Sequence, residues 1–215
     1  MDTRSEGKRG RPVDEASRSR RREEILASAA RVFAQHGYPG TDMQAIADAV
    51  GVAKGTLYLY FESKEKLFLA TVDQGLTQLR AIIDREVEGL TDPLEIIAHA
   101  IHAYLRFFKE RPEQVELLIL ERAEFRDRKQ STYFAHREMG KERWHRLMEE
   151  LIQSGRCRSV PVSRIDDVVS DLVYGTMFTN HFSGRHKPLT TQAADILDIV
   201  YHGILSETER GKGTR

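Results

Sequence analysis

Apolar residues recur with the spacing of an α-helix along most of this chain. In the first such segment, Ile25, Leu26, Ala29, Val32 and Phe33 fall on one helical face. Comparable stripes predict eight more helices, at about 41–50, 53–60, 63–88, 93–110, 113–126, 131–154, 163–184 and 190–207. No run alternates between apolar and polar residues as a half-buried strand would, so the chain is predicted to be all-α, with about nine helices.

The second and third of these helices are short and carry clear local signals. Thr41-Asp42-Met43-Gln44 has the form of a capping box, with Thr41 at the N-cap and Gln44 at N3. Gly51 follows the second helix and suits a turn with positive φ. Leu57 and Phe61 are expected to pack inward. Two short helices around a glycine turn predict a helix-turn-helix that docks in the major groove of DNA.

The outer face of the third helix is the predicted DNA contact. Thr56 carries a hydroxyl and a methyl group that suit a base edge, and Gln44 is within reach of a base. Tyr58, Tyr60 and Lys64 suit phosphates, as does the N-terminus of the second helix. The predicted contacts are Thr41, Gln44, Ala53, Lys54, Gly55, Thr56, Tyr58, Tyr60 and Lys64. Taken alone, the aromatic run at 57–61 also fits ordinary core packing.

Charge is distributed unevenly, although the formal net charge of the 215 residues is zero. Residues 1–22 contain eight basic and four acidic side chains, a net charge of +4, which leaves a mildly acidic remainder. A basic end on an acidic body suits a DNA grip joined to a separate domain. Arg9-Gly10-Arg11-Pro12 resembles the core of an AT-hook, in which arginines enter a narrow A·T minor groove. General attraction to phosphates is the alternative role for Arg9 and Arg11.

The segment at about 20–70 resembles the TetR/AcrR family of bacterial transcriptional regulators. The resemblance is carried by Gly37-Tyr38, Gly40-Thr41, Ile46-Ala47, Gly51-Val52, Lys54-Gly55-Thr56-Leu57-Tyr58, Tyr60-Phe61, Ser63-Lys64-Glu65 and Leu67-Phe68. Ala53 stands where the family often has Ser, and Tyr60 where His is common. The resemblance implies a homodimer, a helical C-terminal ligand domain and, usually, repression that a small molecule relieves.

These observations divide the chain into four parts. We expect a disordered basic arm at 1–17, a helix-turn-helix domain at 18–66, a helical ligand-binding and dimerisation domain at 67–207, and a flexible tail at 208–215. The single cysteine, Cys157, excludes an internal disulfide and fits a reducing compartment. With no bilayer-length apolar run and no apolar segment behind the charged N-terminus, we expect a cytoplasmic, nucleoid-associated bacterial protein.

The predicted C-terminal domain offers candidates for a ligand pocket and a dimer interface. Polar and aromatic groups among the apolar stripes suit an apolar pocket, namely His99, Tyr104, Trp144, Met148, Tyr174, Met177 and His181. Each of them also fits ordinary packing or a surface position. The last two helices suit the interface, through Leu172, Gly175, Phe178, Thr179, Phe182, Ile196, Ile199, Val200, Gly203 and Ile204. Intramolecular packing is the alternative for that second set.

The predicted function is sequence-specific DNA binding by a dimeric transcriptional regulator, a repressor that responds to a small, lipophilic effector. The alternatives are a ligand-independent architectural DNA-binding protein, or a carrier or enzyme with an incidental helix-turn-helix. No catalytic order of residues, phosphate loop or metal spacing is present, so we expect no enzyme, cofactor or metal site. His99 and His102 lack a third ligand nearby. The effector, the operator and any redox role of Cys157 remain open.

Overall fold

The computed structural model describes residues 15–184, 187–204 and 206–210, apart from the side chains of Ile204 and Arg210. These ranges form ten helices and contain no strand. The helices are α1 (Glu15–Gly40), α2 (Met43–Val50), α3 (Lys54–Tyr58), α4 (Lys64–Glu86), α5 (Pro93–Glu110), α6 (Pro112–Glu124), α7 (Thr132–Gln153), α8 (Val162–Ser183), α9 (Leu189–Ile204) and α10 (Glu207–Arg210). The all-α prediction is confirmed. None of the described helices is long and apolar enough to cross a bilayer.

The first three helices close around the apolar stripe of α1. Ile25, Phe33, Ile46 and Leu57 are fully buried in one cluster. The backbone of α1 leaves helical geometry at Gly37, where φ is +72°. Gly51 ends α2 in the left-handed conformation, with φ +75° and ψ 38°, and its N–H reaches carbonyls in the last turn of α2. The positive φ expected at Gly51 is therefore confirmed.

The N-cap of α2 differs from the prediction. Asp42, not Thr41, occupies the N-cap, and its carboxylate accepts a hydrogen bond of 2.8 Å from the N–H of Ala45. Thr41 is 1% exposed, and its hydroxyl donates to the carbonyl of Gly37 at 2.7 Å. The sequence allows either residue to cap, because both have short side chains with an oxygen. The hydroxyl of Thr41 closes the end of α1 instead.

Helix α4 belongs to two parts of the molecule at once. Its first turns bury Leu67, Phe68 and Val72 in the cluster that holds α1–α3 together. Later turns contact α5 and α7 of the C-terminal bundle. The boundary predicted near residue 66 therefore falls inside one continuous helix, which begins at Lys64 after Ser63 caps it.

The C-terminal bundle consists of α5 to α9, with α10 held against it. A second apolar cluster joins α5, α7, α8 and α9 through Ile101, Leu151, Ile165 and Ile196. Arg156 donates to the carboxylates of Asp92 and Glu209 at 2.9 and 3.1 Å, which ties α10 to the start of α5. Residues 15–17 and 208–210, predicted to lie in the arm and the tail, are helical. Arg9 and Arg11 lie outside the described residues.

Candidate nucleic-acid interface and small-molecule cavity

Helix α3 is anchored on one side and open on the other. Leu57 is fully buried and Phe61, just after the helix, is 5% exposed, so the inward packing predicted for both is confirmed. Lys54 and Gly55 are exposed, Thr56 is half-buried, and Tyr58 is 48% exposed. One face of the helix is thus fixed by burial, while the other presents a cation, a hydroxyl and a phenol.

The regions around α3 add further groups to this surface. Leu59, one residue beyond α3, is 74% exposed and was missing from the predicted contacts. Gln44 and Ala53 are exposed, as a DNA contact requires. The amide of Gln44 donates to the carboxylate of Asp48 at 2.7 Å, so binding a base would require this bond to open. Tyr60 is half-buried beside the end of α3.

The N-terminus of α2 does not present the phosphate site that was predicted. The exposed carboxylate of Asp42 caps it, and the hydrogen bond from the N–H of Ala45 lowers the pKa of Asp42. A negative charge at this end of the helix occupies the position that an anion would otherwise favour. Thr41 is almost fully buried, with its hydroxyl bonded to Gly37, its N–H to Tyr38 and its carbonyl to Lys64. No polar group of Thr41 is therefore open for the predicted contact with DNA.

Lys64 is used inside the protein. Its ammonium group donates to the carbonyls of Tyr38 and Thr41, both at 2.9 Å. It also lies 4.4 Å from the centre of the Tyr38 ring, a cation–π distance. Lys64 therefore bonds the end of α1 to the residues just before α2, a role that sequence reasoning missed. Its predicted contact with a phosphate stays a prediction.

The first turns of α1 bring arginines next to the reading surface. The guanidinium carbon of Arg18 lies 5.9 Å from the centre of the Tyr60 ring, and that of Arg22 lies 5.3 Å from Phe61. Both arginines are exposed. The spacing of four residues puts them on one face of α1, which was the available sequence signal. They add positive charge beside α3, although neither was among the predicted DNA contacts.

A cavity of about 450 Å³ lies among α4, α5, α7 and α8. Its walls are largely apolar, and three of the predicted pocket residues, Tyr104, Trp144 and Met148, contribute to them. Met177 and His181 line a separate cavity of about 200 Å³ instead. The structure therefore divides the predicted set between two cavities, because helical periodicity shows which face is buried but not which helices surround a space.

Two residues predicted to line the pocket have other surroundings. His99 is half-exposed, with Nδ1 3.8 Å from the carboxylate of Glu86. Tyr174 packs its ring against those of Tyr133 and Phe178, with centroids 4.5 and 4.8 Å apart. Neither residue borders either cavity. Their prediction as pocket residues is wrong for this arrangement of helices.

The polar groups of the larger cavity include a pair of tyrosines and a pair formed by Arg80 and His136. The hydroxyls of Tyr104 and Tyr133 lie 3.0 Å apart, and burial raises the pKa of both phenols, that of Tyr133 to about 12. Arg80 donates from Nη2 to the carbonyl of His136 at 3.2 Å and lies 3.4 Å from its Nδ1. Nε2 of His136 is 2.8 Å from the carboxylate of Asp73. Arg80 and His136 escaped the sequence analysis because they stand 56 residues apart.

Helices α8 and α9 leave apolar side chains exposed on their outer faces. Leu172, Phe182 and Ile199 are 37%, 70% and 69% exposed, and Val168, which was not predicted, is 61% exposed. Gly175, Thr179 and Gly203 are exposed as well. The positions on α8 recur at helical spacing, and an exposed apolar helix face of this kind is typical of an association surface.

Not every residue predicted for the interface lies on this face. Ile196 and Val200 are 8% and 6% exposed and pack inward in the second apolar cluster. Phe178 is half-buried between the rings of Tyr174 and Phe182. The predicted interface role is therefore wrong for Ile196 and Val200, which pack within the subunit. The side chain of Ile204 lies outside the described residues.

Cys157 is buried at 3% exposure, and burial raises the pKa of its thiol. A raised pKa suppresses the thiolate, which is the form that reacts with oxidants. Arg156 lowers the pKa of the thiol by less than burial raises it. The neighbouring arginines therefore do not create the environment that a redox sensor needs.

Comparison with known proteins agrees with this architecture. A sequence profile described as "Bacterial regulatory proteins, tetR family" matches residues 25–71. The chain is 36% identical to HTH-type transcriptional regulator HbdR of Aromatoleum sp. (strain CIB) over 39% of its own length and 37% of that relative. It is 28% identical to HTH-type transcriptional repressor KstR2 of Mycolicibacterium smegmatis, over 72% of each chain. The match to HbdR thus spans well under half of that protein.

The helix-turn-helix segment of the chain is therefore similar to that of TetR-family regulators. The fold extends this likeness beyond the profile. The structure of FadR from Bacillus subtilis in complex with stearoyl-CoA superposes with a TM-score of 0.70 at 22% identity, covering 85% of this chain and 98% of FadR. Both halves of the chain therefore share the fold of that structure, while the profile covers only the helix-turn-helix and the start of α4.

Proposed function

We propose that this protein is a transcriptional regulator of the TetR family that binds a near-palindromic operator as a homodimer and responds to a small-molecule effector. Each subunit places α3 in a major groove, with the two half-sites related by the twofold axis of the dimer. Lys54 and Tyr58 are exposed and Thr56 is half-buried around the fully buried Leu57, which supports this role. The exposed apolar face of α8 and α9 supports the dimer. Such a regulator works in the bacterial cytoplasm, on the nucleoid.

One observation carries the response to an effector. Helix α4 packs Phe68 into the core of the helix-turn-helix and lines the cavity with Leu79, Arg80 and Ile83. A ligand that fits one position of α4 better than another would shift the DNA-binding domain with it. Coupling of about 1–3 kcal/mol changes operator affinity by about 5- to 150-fold.

Two similar proteins favour repression and a small-molecule effector. KstR2 is named a transcriptional repressor, and FadR was crystallised with stearoyl-CoA. A ligand-responsive repressor is therefore the favoured form, in which the effector releases the protein from its operator.

Selection of binding sites from random DNA tests the proposal. The purified protein should enrich a near-palindromic site, and Thr56→Ala should relax discrimination at one position in each half-site. Tyr58→Ala should weaken binding to all sequences alike, because phosphate contacts position the protein without specifying sequence. Enrichment of no site, or only of bent or A·T-rich DNA without a palindrome, would favour an architectural DNA-binding protein instead.

A truncation tests the arm separately. Removing residues 1–14 should lower operator affinity and flatten its salt dependence if Arg9 and Arg11 contact DNA. Unchanged affinity and salt dependence would exclude a role for the arm and leave the proposal for α3 standing.

A further inference from the structure

The larger cavity has the size and lining of a small-molecule site. Its volume of about 450 Å³ falls within the range of about 300–1,000 Å³ that such sites occupy. Leu76, Ile97, Ile101, Val169 and Val173 give it apolar walls from three helices, α4, α5 and α8. An apolar body in the ligand is the chemistry that these walls favour.

The charges around the cavity are unevenly paired. The carboxylate of Asp84 pairs with Arg143, and that of Asp166 has Nη2 of Arg137 at 3.7 Å. Arg80, in contrast, has no carboxylate within 4.0 Å among the residues that the structure describes. It is therefore the half-buried cation of this cavity that lacks an anion.

Arg80 is also held in place. Its Nη2 donates to the carbonyl of His136 and lies within hydrogen-bond distance of His136 Nδ1. If Nδ1 accepts that bond from Arg80, Nε2 carries the proton and donates to Asp73. The guanidinium has five N–H donors, so this anchoring leaves others for a ligand. A fixed guanidinium in apolar surroundings favours a carboxylate, which it can bind through two parallel hydrogen bonds.

We propose that the effector of this protein is an apolar carboxylic acid, whose carboxylate pairs with Arg80 while its chain fills the cavity. The buried hydroxyls of Tyr104 and Tyr133 stay neutral and offer a hydrogen bond rather than a charge. This inference rests on the proposed function, because it names the effector that the regulator would sense.

The opposite chemistry, an amine bound by Asp166, is the alternative that the test must separate. The side chain of Asp166 is 9% exposed, and its Oδ2 has no hydrogen-bond partner among the described residues. However, the cation of Arg137 already lies 3.7 Å from Oδ2, and His145 Nε2 lies 4.0 Å from it. A ligand amine would compete with these groups, whereas a carboxylate at Arg80 displaces no protein anion.

Calorimetric titration with three probes of equal chain length tests the proposal. Dodecanoate should bind at least about tenfold more tightly than dodecanol or dodecylamine, because only the acid gains the charged hydrogen bonds. Arg80→Gln should weaken dodecanoate about tenfold or more and leave dodecanol unchanged. Arg146→Gln is the matched control, since Arg146 borders the same cavity but is exposed, and it should change affinity by less than about twofold.

Several results would overturn the proposal. They are equal affinity for acid and alcohol, unchanged dodecanoate binding in Arg80→Gln, and preference for the amine that Asp166→Asn abolishes. Tighter binding of dodecanoyl-CoA, whose thioester carries no carboxylate at that position, would also exclude the pairing. The thermal midpoint of each variant without ligand shows whether it is folded, and Arg80→Lys, which keeps the charge, should restore part of the affinity.

The proposal of an apolar carboxylic acid as effector can be rejected without rejecting the proposed function. If none of the probes binds, the effector is not an acid of this kind, and operator binding measured on the same protein remains as the independent test of DNA recognition.

Discussion

The helix-turn-helix and the cavity below it use their polar side chains in opposite ways. In the helix-turn-helix, Lys64 and the hydroxyl of Thr41 are engaged by backbone carbonyls, and the groups left open lie on the surface of α3. In the cavity, Arg80 is fixed by His136, yet no carboxylate of the described part of the chain lies within 4.0 Å of it. The exposed polar groups of a DNA-binding surface need no partner in the free protein, because water solvates them. A half-buried cation without an anion instead favours a ligand that supplies one.

The largest expected effect comes from Phe68, which packs α4 into the core of the helix-turn-helix. The fully buried ring of Phe68 packs against Phe33, Tyr38 and Phe125, with centroids 5.0, 5.1 and 5.5 Å away. Phe68→Ala should lower the free energy of unfolding by about 3–5 kcal/mol, measured by urea denaturation. Phe134→Ala, at a ring that is 41% exposed, should cost about 1 kcal/mol. Similar losses in the two variants would mean that Phe68 is not central to this core.

A second prediction concerns the internal role of Lys64. Lys64→Met removes two charge-assisted hydrogen bonds and leaves the carbonyls of Tyr38 and Thr41 without this donor. The free energy of unfolding should fall by about 1.5–3 kcal/mol. Operator affinity should fall as well, but its dependence on salt should stay the same. A salt slope lower by about 1 at unchanged stability would instead establish the phosphate contact that the sequence suggests.

Lys54 should show the reverse pattern. It is exposed at the start of α3, so Lys54→Ala should leave the free energy of unfolding within about 0.5 kcal/mol of the parent. Operator affinity should fall for all sequences alike, and the slope of log K against log salt should drop by about 0.9. Lys109→Ala, an exposed lysine of the C-terminal bundle, is the control and should change neither quantity. A loss of stability at Lys54 without a change in slope would contradict the assignment.

The same contrast explains what the sequence could predict. The helix-turn-helix was accessible because its signals are local, with Gly51 one residue after α2 and Leu57 within α3. Thr41 was predicted as the N-cap of α2 in place of Asp42, because both adjacent residues have side chains that suit an N-cap. The cavity brings together residues as distant as Leu76 and Val173, and helical periodicity carries no information about such pairings. Arg80 and His136 were missed for that reason, whereas Tyr104, Trp144 and Met148, which were predicted as pocket residues, border the cavity.

The contrast between the helix-turn-helix and the cavity would not hold if polar groups were poorly paired throughout the C-terminal bundle. A substitution at Asp92 tests this point and has the smallest expected effect. Its carboxylate caps α5 through the N–H of Leu94, and the hydrogen bond from Arg156 lowers its pKa. Asp92→Asn keeps a capping oxygen and removes the charge. Because the side chain is 38% exposed, water screens the pair, and the variant should lose less than about 1 kcal/mol near neutral pH.

The pH dependence of this difference separates charge from shape. A lowered pKa means that the ion pair stabilises the fold fully above the ordinary pKa of about 3.9 and ceases to do so as the pH falls through the lowered value. Urea denaturation from neutral pH down to about pH 3 should therefore show the stabilities of parent and variant converging at the acid end. A difference that stays constant with pH would mean that packing, not the Asp92–Arg156 pair, secures the start of α5.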